Sequence, residues 1–330
     1  MSRRLTGFTP SGDLHLGNLI GAIRPIVEAQ HRAADPADTV IFVSDLHALT
    51  LEHDPATVRR RTLEFAKLLL AAGTDPDRCL FLVQSHVPQH TEIHYLLECV
   101  TGYGESLRMI QFKEKSAKQQ HVRVSLLTYP ILMAGDILLY DTDEVPVGED
   151  QKQHVELARD VAGRFNSRYG QTFTLPNAVN PPVAARLKDL ASPGDKMSKS
   201  SASAAGVLLL LDDENALRRK VMRAVTDTDS DVRYDPRAKP GVSNLLDILA
   251  ACIGDDPREL AGHFDRYGEL KTAVADAVVA AIAPIRKRYD ELDAHDAHVA
   301  GVLRRGSAQA RELAAAKVGA ARRALGLLEP

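Results

Sequence analysis

The chain has 330 residues and a net charge of −3, with 45% hydrophobic and 26% charged residues, a composition typical of a soluble protein of two domains. A pI of about 6.5 excludes a global attraction to nucleic acid, so any RNA contact must come from local patches. The sequence shows neither the ~20 apolar residues of a membrane span nor a secretion segment. Its three cysteines, Cys79, Cys99 and Cys252, match neither a disulfide framework nor a zinc site, which predicts the cytoplasm.

Strands and helices alternate in the first part of the chain. A turn at residues 9–12 separates a short apolar strand from an amphipathic helix, which Pro25 is expected to kink. The alternation predicts a parallel, doubly wound α/β sheet, and a strand, a Gly-containing turn and a helix in that order predict a mononucleotide-binding unit. Strands are predicted at residues 4–8, 39–43 and 79–83, and helices at 18–29 and 55–72.

The middle of the chain is mostly helical in pattern, and the last third entirely so. We expect a helical insertion at about 91–182 that carries part of the substrate pocket, and a return to the sheet around 183–190. A run of small residues at 200–206 is typical of a flexible connection. The predicted domains are therefore residues 1–200 and an all-α domain at 201–330. Its helices are predicted at 212–225, 242–253, 257–264, 269–292 and 297–324.

Two short polar loops carry the strongest functional signal. In residues 10–18, Gly12 and Gly17 permit close approach to phosphates. The same segment could equally be a turn in which His15 or Asn18 caps a helix. In residues 196–200, Lys196 and Lys199 supply cations for a leaving pyrophosphate if the loop moves. An exposed charged loop is the alternative.

A single carboxylate interrupts an apolar helix at residues 129–140. A lone buried Asp136 is unfavourable unless it is paired, so it is either a helix-end group that accepts backbone hydrogen bonds or the acceptor for a polar hydrogen of an apolar ligand. Residues 145–151 then offer a strand, a glycine and three polar groups, which suit ribose hydroxyls or an amino group. A simple helix start is the alternative there.

Two further segments carry polar side chains. His47 follows a predicted strand, a common position for site residues in open α/β sheets. Residues 111–116 contain two cations after an aromatic residue, for which a solvated face is the default interpretation.

In this order, the two loops resemble the ATP signatures of class I aminoacyl-tRNA synthetases, and the chain as a whole resembles the tryptophanyl-tRNA synthetases. Residues 135–140 and 147–154 are the segments most specific to that family. The other segments that carry the resemblance are residues 9–18, 45–48, 109–118, 129–160, 196–200, 224–229 and 239–246.

The resemblance implies a Rossmann-like catalytic domain, a helical anticodon-binding domain and a homodimer. It implies ATP as a substrate with Mg²⁺ on its phosphates, L-tryptophan and tRNA(Trp) as partners, and neither a membrane nor DNA. The implied catalytic residues are Lys115, Lys196 and Lys199. The implied ATP-binding residues are Thr9, Pro10, Ser11, Gly17, Asn18, Gly148, Glu149, Asp150, Leu187, Lys196, Met197, Ser198, Lys199 and Ser200. The implied tryptophan-binding residues are Asp136, which accepts the indole N–H, with Met133, Val145, Val147, Gln151 and His47, and no metal ligand is implied.

Three positions depart from the family pattern. Thr9 stands where the family commonly has Gln, Leu5 replaces a frequent aromatic residue, and Ser201 replaces an acidic residue. Positive charge on the last helix, at Arg304, Arg305, Arg311, Lys317, Arg322 and Arg323, favours an anticodon contact or a solvated helical face.

Three rival functions remain open at this point. The tyrosine-specific sister enzyme shares the ATP motifs and would be distinguished by the amino acid that drives pyrophosphate exchange. A catalytically silent RNA-binding paralogue is disfavoured because every expected cation and glycine is present. Another nucleotidylyltransferase of this fold is disfavoured by the all-α last third and by the lysine loop.

Overall fold

The structure, a computed structural model, describes residues 2–117, 119–148, 151–179, 187–198 and 204–328. These residues divide into two units by packing. The first comprises the described parts of Met1–Ser11, Ile26–Asn180 and His295–Pro330. The second comprises the described parts of Gly12–Pro25 and Pro181–Ala294.

A five-stranded parallel sheet forms the centre of the first unit. Its strands are β1 (Arg4–Phe8), β2 (Thr39–Val43), β3 (Leu80–Val83), β4 (Glu144–Pro146) and β5 (Asn177–Val179). The strand order is β3-β2-β1-β4-β5, and every pairing is parallel. Because β2 and β3 are buried along their whole length, their sequences are continuous apolar runs. The predicted doubly wound α/β sheet is confirmed.

The strand order reverses at β1. The chain builds β2 and β3 on one side of β1 and then places β4 and β5 on the other side. In open α/β sheets, ligands bind beyond the carboxyl ends of the strands at such a reversal. The residues that follow β1 and β4, Thr9 and Val147, therefore flank the expected binding crevice.

The last strand differs from the prediction. The sheet returns at β5, whereas we expected it around residues 183–190. Residues 180–186 lie outside the described part of the chain, and Lys188 forms only an isolated antiparallel bridge with Lys196. Two of the three residues of β5 are exposed, so this edge strand has no apolar run that the sequence could show. Both β4 and β5 fall inside the segment that we predicted as a helical insertion.

Fourteen α-helices lie in the described residues, and the long helices occupy the positions predicted from the sequence. A π-helical turn, Leu19–Ile23, precedes the helix that contains Pro25. In chain order the helices are α1 (Leu16–Asn18), α2 (Arg24–Arg32), α3 (Asp45–Ala48), α4 (Pro55–Ala71), α5 (Gln89–Glu98), α6 (Tyr103–Arg108), α7 (Ile110–Ser116), α8 (Val124–Leu138), α9 (Lys152–Tyr169), α10 (Glu214–Met222), α11 (Pro240–Ile253), α12 (Pro257–Ala261), α13 (Tyr267–Asp293) and α14 (Asp296–Ala324).

The last helix, α14, packs in the first unit. The large hydrophobic cluster there joins β1–β4 to α5, α8, α9 and α14. Gly306 permits the contact of α14 with β3, because a Cβ atom at this position would lie 1.8 Å from the carbonyl oxygen of Phe81. Packing therefore groups α14 with the first unit and Gly12–Pro25 with the second, and the division into domains at residue 200 stays a prediction.

The second unit is a helical assembly in which α10 and α11 pack on α13. Lys239, 1% exposed, precedes α11 and ties the unit together. Its ammonium group lies 3.0 Å from Asp227 and Asp229, 2.9 Å from Asp231 and 2.9 Å from the Tyr267 hydroxyl. Three carboxylates thus solvate one buried cation, which joins the loop at residues 227–231 to the starts of α11 and α13.

We expect Gly306→Ala to lower the free energy of unfolding by about 1–3 kcal/mol, because the added methyl group has no space against β3. Gly319→Ala is the matched control on the same helix. A Cβ atom there meets only the end of the Arg323 side chain, at 3.6 Å. Alanine should then be neutral or stabilise by up to about 1 kcal/mol through its helix propensity. Urea unfolding of both variants tests this, and equal effects would contradict the close approach.

Candidate functional site

Asp136, 1% exposed, is the centre of a polar cluster in the first unit. His47 donates from Nε2 to its Oδ2 atom at 2.8 Å. Its Oδ1 atom accepts from Gln84 Nε2 at 2.7 Å and from His90 Nδ1 at 2.7 Å. The second ring nitrogen of His90 lies 2.9 Å from the Tyr140 hydroxyl. We call these five residues the Asp136 cluster.

The cluster keeps Asp136 ionised. Burial by itself raises the pKa of this carboxyl group, but hydrogen bonds from His47 and His90 and their charges outweigh burial and hold the pKa at about 2. Of the two roles that we considered from the sequence, the helix-end group with backbone partners does not fit, because Asp136 accepts its hydrogen bonds from the side chains of other residues. The site is therefore built around a buried anionic acceptor.

The sheet brings the members of the cluster together. His47 lies in α3, which follows β2, and Gln84 follows β3 directly. The carboxyl ends of parallel neighbours meet at one edge of a sheet, and α8 supplies Asp136 at that edge. The sequence analysis missed Gln84, His90 and Tyr140 as functional residues. Gln84 could have been found by the strand-end position that identified His47, whereas no local pattern marks His90.

Other predicted side chains lie along the same helix. Tyr129, Met133 and Asp136 are spaced so that they share one face of α8. The Tyr129 ring meets the His47 ring edge to face at 6.1 Å, and the Lys115 ammonium lies 4.9 Å from its centroid. Tyr129 also places its hydroxyl 3.0 Å from Nε2 of the buried His154. The structure thus brings Lys115, from α7, to the ring of Tyr129, which forms an aromatic wall beside the Asp136 cluster.

The residues after β4 complete the apolar side of this region. Val145 and Val147 are buried in the large hydrophobic cluster, and Met133 packs against it. Gln151 donates its backbone N–H to the Gly148 carbonyl at 3.0 Å and precedes α9. The predicted nucleotide-binding residues Glu149 and Asp150 lie outside the described residues.

The segment after β1 begins the predicted nucleotide loop. The Thr9 and Ser44 hydroxyl oxygens are 3.0 Å apart, which ties the ends of β1 and β2 together. Ser11 donates its backbone N–H to the Thr9 carbonyl at 2.8 Å, and Pro10 is buried. Thr9 therefore lies in a tight turn at the carboxyl edge of the sheet, whose role in ATP binding stays a prediction.

In the second unit, His15 and Asn18 form a capping box at the start of α1. The Gly17 N–H donates to His15 Nδ1 at 3.1 Å, and the His15 N–H donates to Asn18 Oδ1 at 3.1 Å. A Cβ atom at Gly17 would lie 3.0 Å from the His15 ring, so a larger residue would press on the ring that closes the box. The capping interpretation of both side chains is confirmed, and their contact with a nucleotide stays a prediction.

The first part of the lysine loop is a hairpin in the second unit. Met197 donates its N–H to the Leu187 carbonyl at 2.9 Å, and both side chains are buried. Asn244 of α11 clamps Lys188 through two hydrogen bonds of 2.8 and 3.0 Å. Lys196 is exposed on this anchored hairpin, two residues before Ser198. Two predicted residues, Lys199 and Ser200, lie outside the described residues, as does Ser201.

Several of the cations predicted on α14 have partners within the first unit. Arg311 donates to the His86 carbonyl at 2.8 Å, Lys317 pairs with Asp141 at 2.6 Å, and Arg322 pairs with Glu92 at 2.7 Å. These cations stabilise the packing of α14. A contact of the helix with RNA stays a prediction.

The described residues contain neither a candidate metal centre nor a candidate membrane span. In that part of the chain, no group of three or more His, Cys, Asp or Glu side chains is placed to hold a metal ion. Over the same ranges, no helix has both the length and the apolar character needed to span a bilayer.

Comparison with known proteins places this geometry in a family. Residues 1–283 match the model of the class I tRNA synthetases (W and Y). The chain is 54% identical to tryptophan–tRNA ligase 1 of Streptomyces coelicolor, over 100% of its own length and 98% of that protein.

Solved structures show the same likeness. A tryptophanyl-tRNA synthetase from Mycoplasma pneumoniae superposes with a TM-score of 0.90 at 34% identity, covering 99% of this chain and 98% of that one. A tryptophanyl-tRNA synthetase from Campylobacter jejuni in complex with ADP and tryptophan has a TM-score of 0.84 at 33% identity, covering 98% of this chain and 100% of that one.

The depressed pKa of Asp136 predicts a pH dependence of stability. The pKa is about 2 in the folded chain against 3.8 ordinarily, so the ionised group stabilises the fold above pH 4. This contribution, about 2 kcal/mol, is lost as the pH falls towards 2. The Asp136→Asn variant lacks this contribution. The difference in unfolding free energy between the natural chain and the variant should therefore decrease as the pH falls from 4 towards 2.

Urea unfolding of the natural chain and of Asp136→Asn at pH 5, 4 and 3 measures this difference. Far-ultraviolet circular dichroism at each pH checks that both chains start folded. A difference that stays constant from pH 5 to pH 3 would mean that the cluster does not stabilise the ionised form.

Proposed function

The chain belongs to the class I tRNA synthetases (W and Y), and we propose that it is the tryptophan-specific enzyme. It activates L-tryptophan with ATP, giving tryptophanyl-adenylate and pyrophosphate, and then transfers tryptophan to the 3′ end of tRNA(Trp). The observation that carries this proposal is the buried, ionised Asp136 near the buried apolar side chains of Val145 and Val147. The choice of tryptophan rests on the likeness to tryptophan–tRNA ligases over the whole chain.

Asp136 is the proposed acceptor for the indole N–H. A carboxylate accepts hydrogen bonds only, and an indole ring offers a single donor on an otherwise apolar body. The buried Val145 and Val147, with Met133 on the Asp136 face of α8, suit the rest of the ring. His47 and Gln151 are proposed to line the same pocket, Gln151 towards the amino group.

The ATP side is proposed to use residues of both loops together with the segment after β4. These are Thr9, Pro10, Ser11, Gly17, Asn18, Gly148, Glu149, Asp150, Leu187 and residues 196–200. Mg²⁺ is held largely by substrate phosphates in such sites. The ion would neutralise phosphate charge when it arrives with ATP.

The chemistry requires positioning more than it requires a protein nucleophile. The tryptophan carboxylate attacks the α-phosphorus of ATP in line, an oxygen–phosphorus bond forms, and the bond to the pyrophosphate oxygen breaks. Lys115, Lys196 and Lys199 are proposed to stabilise the charge that develops on the phosphates. The 2′-hydroxyl of the terminal tRNA ribose then attacks the adenylate carbonyl, and AMP leaves.

We further propose a cytoplasmic homodimer whose helices in residues 201–330 contact the anticodon. Exposed apolar side chains on neighbouring elements of the first unit support dimer formation, since they would be buried in it. Tyr95 on α5 is 65% exposed, Tyr103 on α6 is 71% exposed, and Val124 at the start of α8 is 75% exposed.

Replacing Asp136 by alanine should raise the KM for tryptophan on the order of 10- to 100-fold, because a hydrogen bond to a charged acceptor is lost. The KM for ATP should stay within about 2-fold, because no described contact links Asp136 to the nucleotide loops. Tryptophan-dependent exchange of pyrophosphate into ATP measures both constants. Exchange driven by tyrosine instead of tryptophan would overturn the assignment.

Lys196→Ala should lower the rate of adenylate formation on the order of 100-fold, because the partner charge develops as pyrophosphate leaves. The dissociation constant of ATP should change by less than about 3-fold. Lys188→Ala is the matched control, since it removes the same charge from the facing strand of the hairpin. Pre-steady-state rates and equilibrium ATP binding separate the two effects. A variant that mainly weakened ATP binding would make Lys196 a simple binding group.

A further inference from the structure

The two oxygens of Asp136 are not equivalent. Oδ1 accepts two hydrogen bonds, from Gln84 and His90. Oδ2 accepts one from a described residue, His47. Because each carboxylate oxygen offers two lone-pair sites, Oδ1 is saturated and Oδ2 keeps one site for a further donor.

The saturated oxygen faces the core, and the other faces the accessible side. His90, which bonds Oδ1, is 0% exposed, and its ring lies 5.9 Å from the Phe42 ring of β2. The His47 side chain, which bonds Oδ2, is 13% exposed and meets the aromatic wall at Tyr129. A ligand that enters along this wall therefore reaches Oδ2 first.

Gln84 is fixed in one orientation. Its Oε1 atom accepts the Leu46 backbone N–H at 3.1 Å, so its amide NH₂ group must point the other way, towards Asp136. The orientation of this donor to Oδ1 is therefore set by the backbone in the first turn of α3.

His90 is fixed in a comparable way by Tyr140. A ring nitrogen beside a carboxylate must carry a proton, which assigns a hydrogen to Nδ1, and the second ring nitrogen, Nε2, lies 2.9 Å from the Tyr140 hydroxyl, which can either donate or accept. Burial raises the pKa of Tyr140, and the Asp136 charge raises it further, so Tyr140 keeps its proton and remains a donor. The opposite tautomer would place a ring lone pair against the carboxylate.

We propose that His90, held in place by its hydrogen bond with Tyr140, is a positioning residue that makes the pocket selective for a ring that carries an N–H group. His90 and Gln84 together hold the carboxylate so that Oδ2 is the acceptor offered to the ligand. The inference rests on the proposed function, because it places the tryptophan ring against Asp136.

The same arrangement disfavours a phenol. A tyrosine hydroxyl could donate to Oδ2, but its oxygen also requires a donor once it leaves water. The N–H groups of His47, Gln84 and His90 that face the carboxylate are all committed to it. The saturated cluster therefore supports an N–H group and leaves a phenol oxygen unsatisfied.

The test compares tryptophan with its analogue in which a sulfur atom replaces the ring N–H, using pyrophosphate exchange by the full-length chain. We expect the natural chain to prefer tryptophan on the order of 10-fold or more in kcat/KM. In His90→Gln the Nδ1 donor is lost, and the preference should fall by at least about 5-fold. In His90→Asn an amide N–H replaces Nδ1, and most of the preference should return.

Tyr140→Phe tests the outer hydrogen bond without changing His90. It should lower the preference about 3-fold, because the His90 ring is then held through Nδ1 alone and loses one neutral hydrogen bond. Tyr267→Phe in the second unit is the matched control, since it also removes a hydroxyl bonded to charged groups. The control should leave the preference unchanged.

The preference is a ratio measured on one preparation, so a partly unfolded variant lowers both rates alike and leaves the ratio readable. An unchanged preference in both His90→Gln and Tyr140→Phe would make His90 a structural core residue and overturn the inference, while the proposed function would stand. A natural chain without tryptophan-dependent exchange would overturn both together.

Discussion

A buried carboxylate has to be solvated by the protein itself, and the first unit is arranged around this need at Asp136. Transfer of such an ion out of water costs several kcal/mol even after relaxation. Three side-chain donors offset that cost, and their net effect holds the pKa at about 2. The donors His47, Gln84 and His90 come from three different elements, so the charge is stable only in the complete fold.

The topology of the sheet makes this convergence possible. The strands β2 and β3 pair in parallel, with Val43 opposite Val83, so the segments that follow them leave the sheet side by side. A shift of one residue in this register would turn the side chains of a strand to the opposite face and would separate His47 from Gln84. The continuous apolar runs that bury both strands therefore also fix the geometry of the polar site.

The sequence was informative wherever a signal was local. Long helices and the β-branched strand 39–43 follow from periodicity, and Asp136 and His47 were each identified by their surroundings in the chain. The hydrogen bond between these two residues could not be identified, because 89 residues separate them. No periodicity marks His90 or Tyr140 as partners of Asp136. The edge strand β5 is largely exposed, so no apolar run in the sequence could reveal it. The packing of α14 on β3 includes a close approach at Gly306, which the many small residues of that helix do not single out.

The proposed amino acid pocket and the lysine hairpin depend on different packing. The Asp136 cluster, the aromatic wall and Lys115 all belong to the first unit, and their geometry follows from strand register and α8. Lys196 belongs to a hairpin in the second unit, where Asn244 fixes its base to α11. A substitution that loosens the cluster should therefore change which ring is accepted, whereas one that loosens the hairpin should change how fast pyrophosphate leaves. Because separate contacts hold the two features, selectivity and rate can vary independently in this fold.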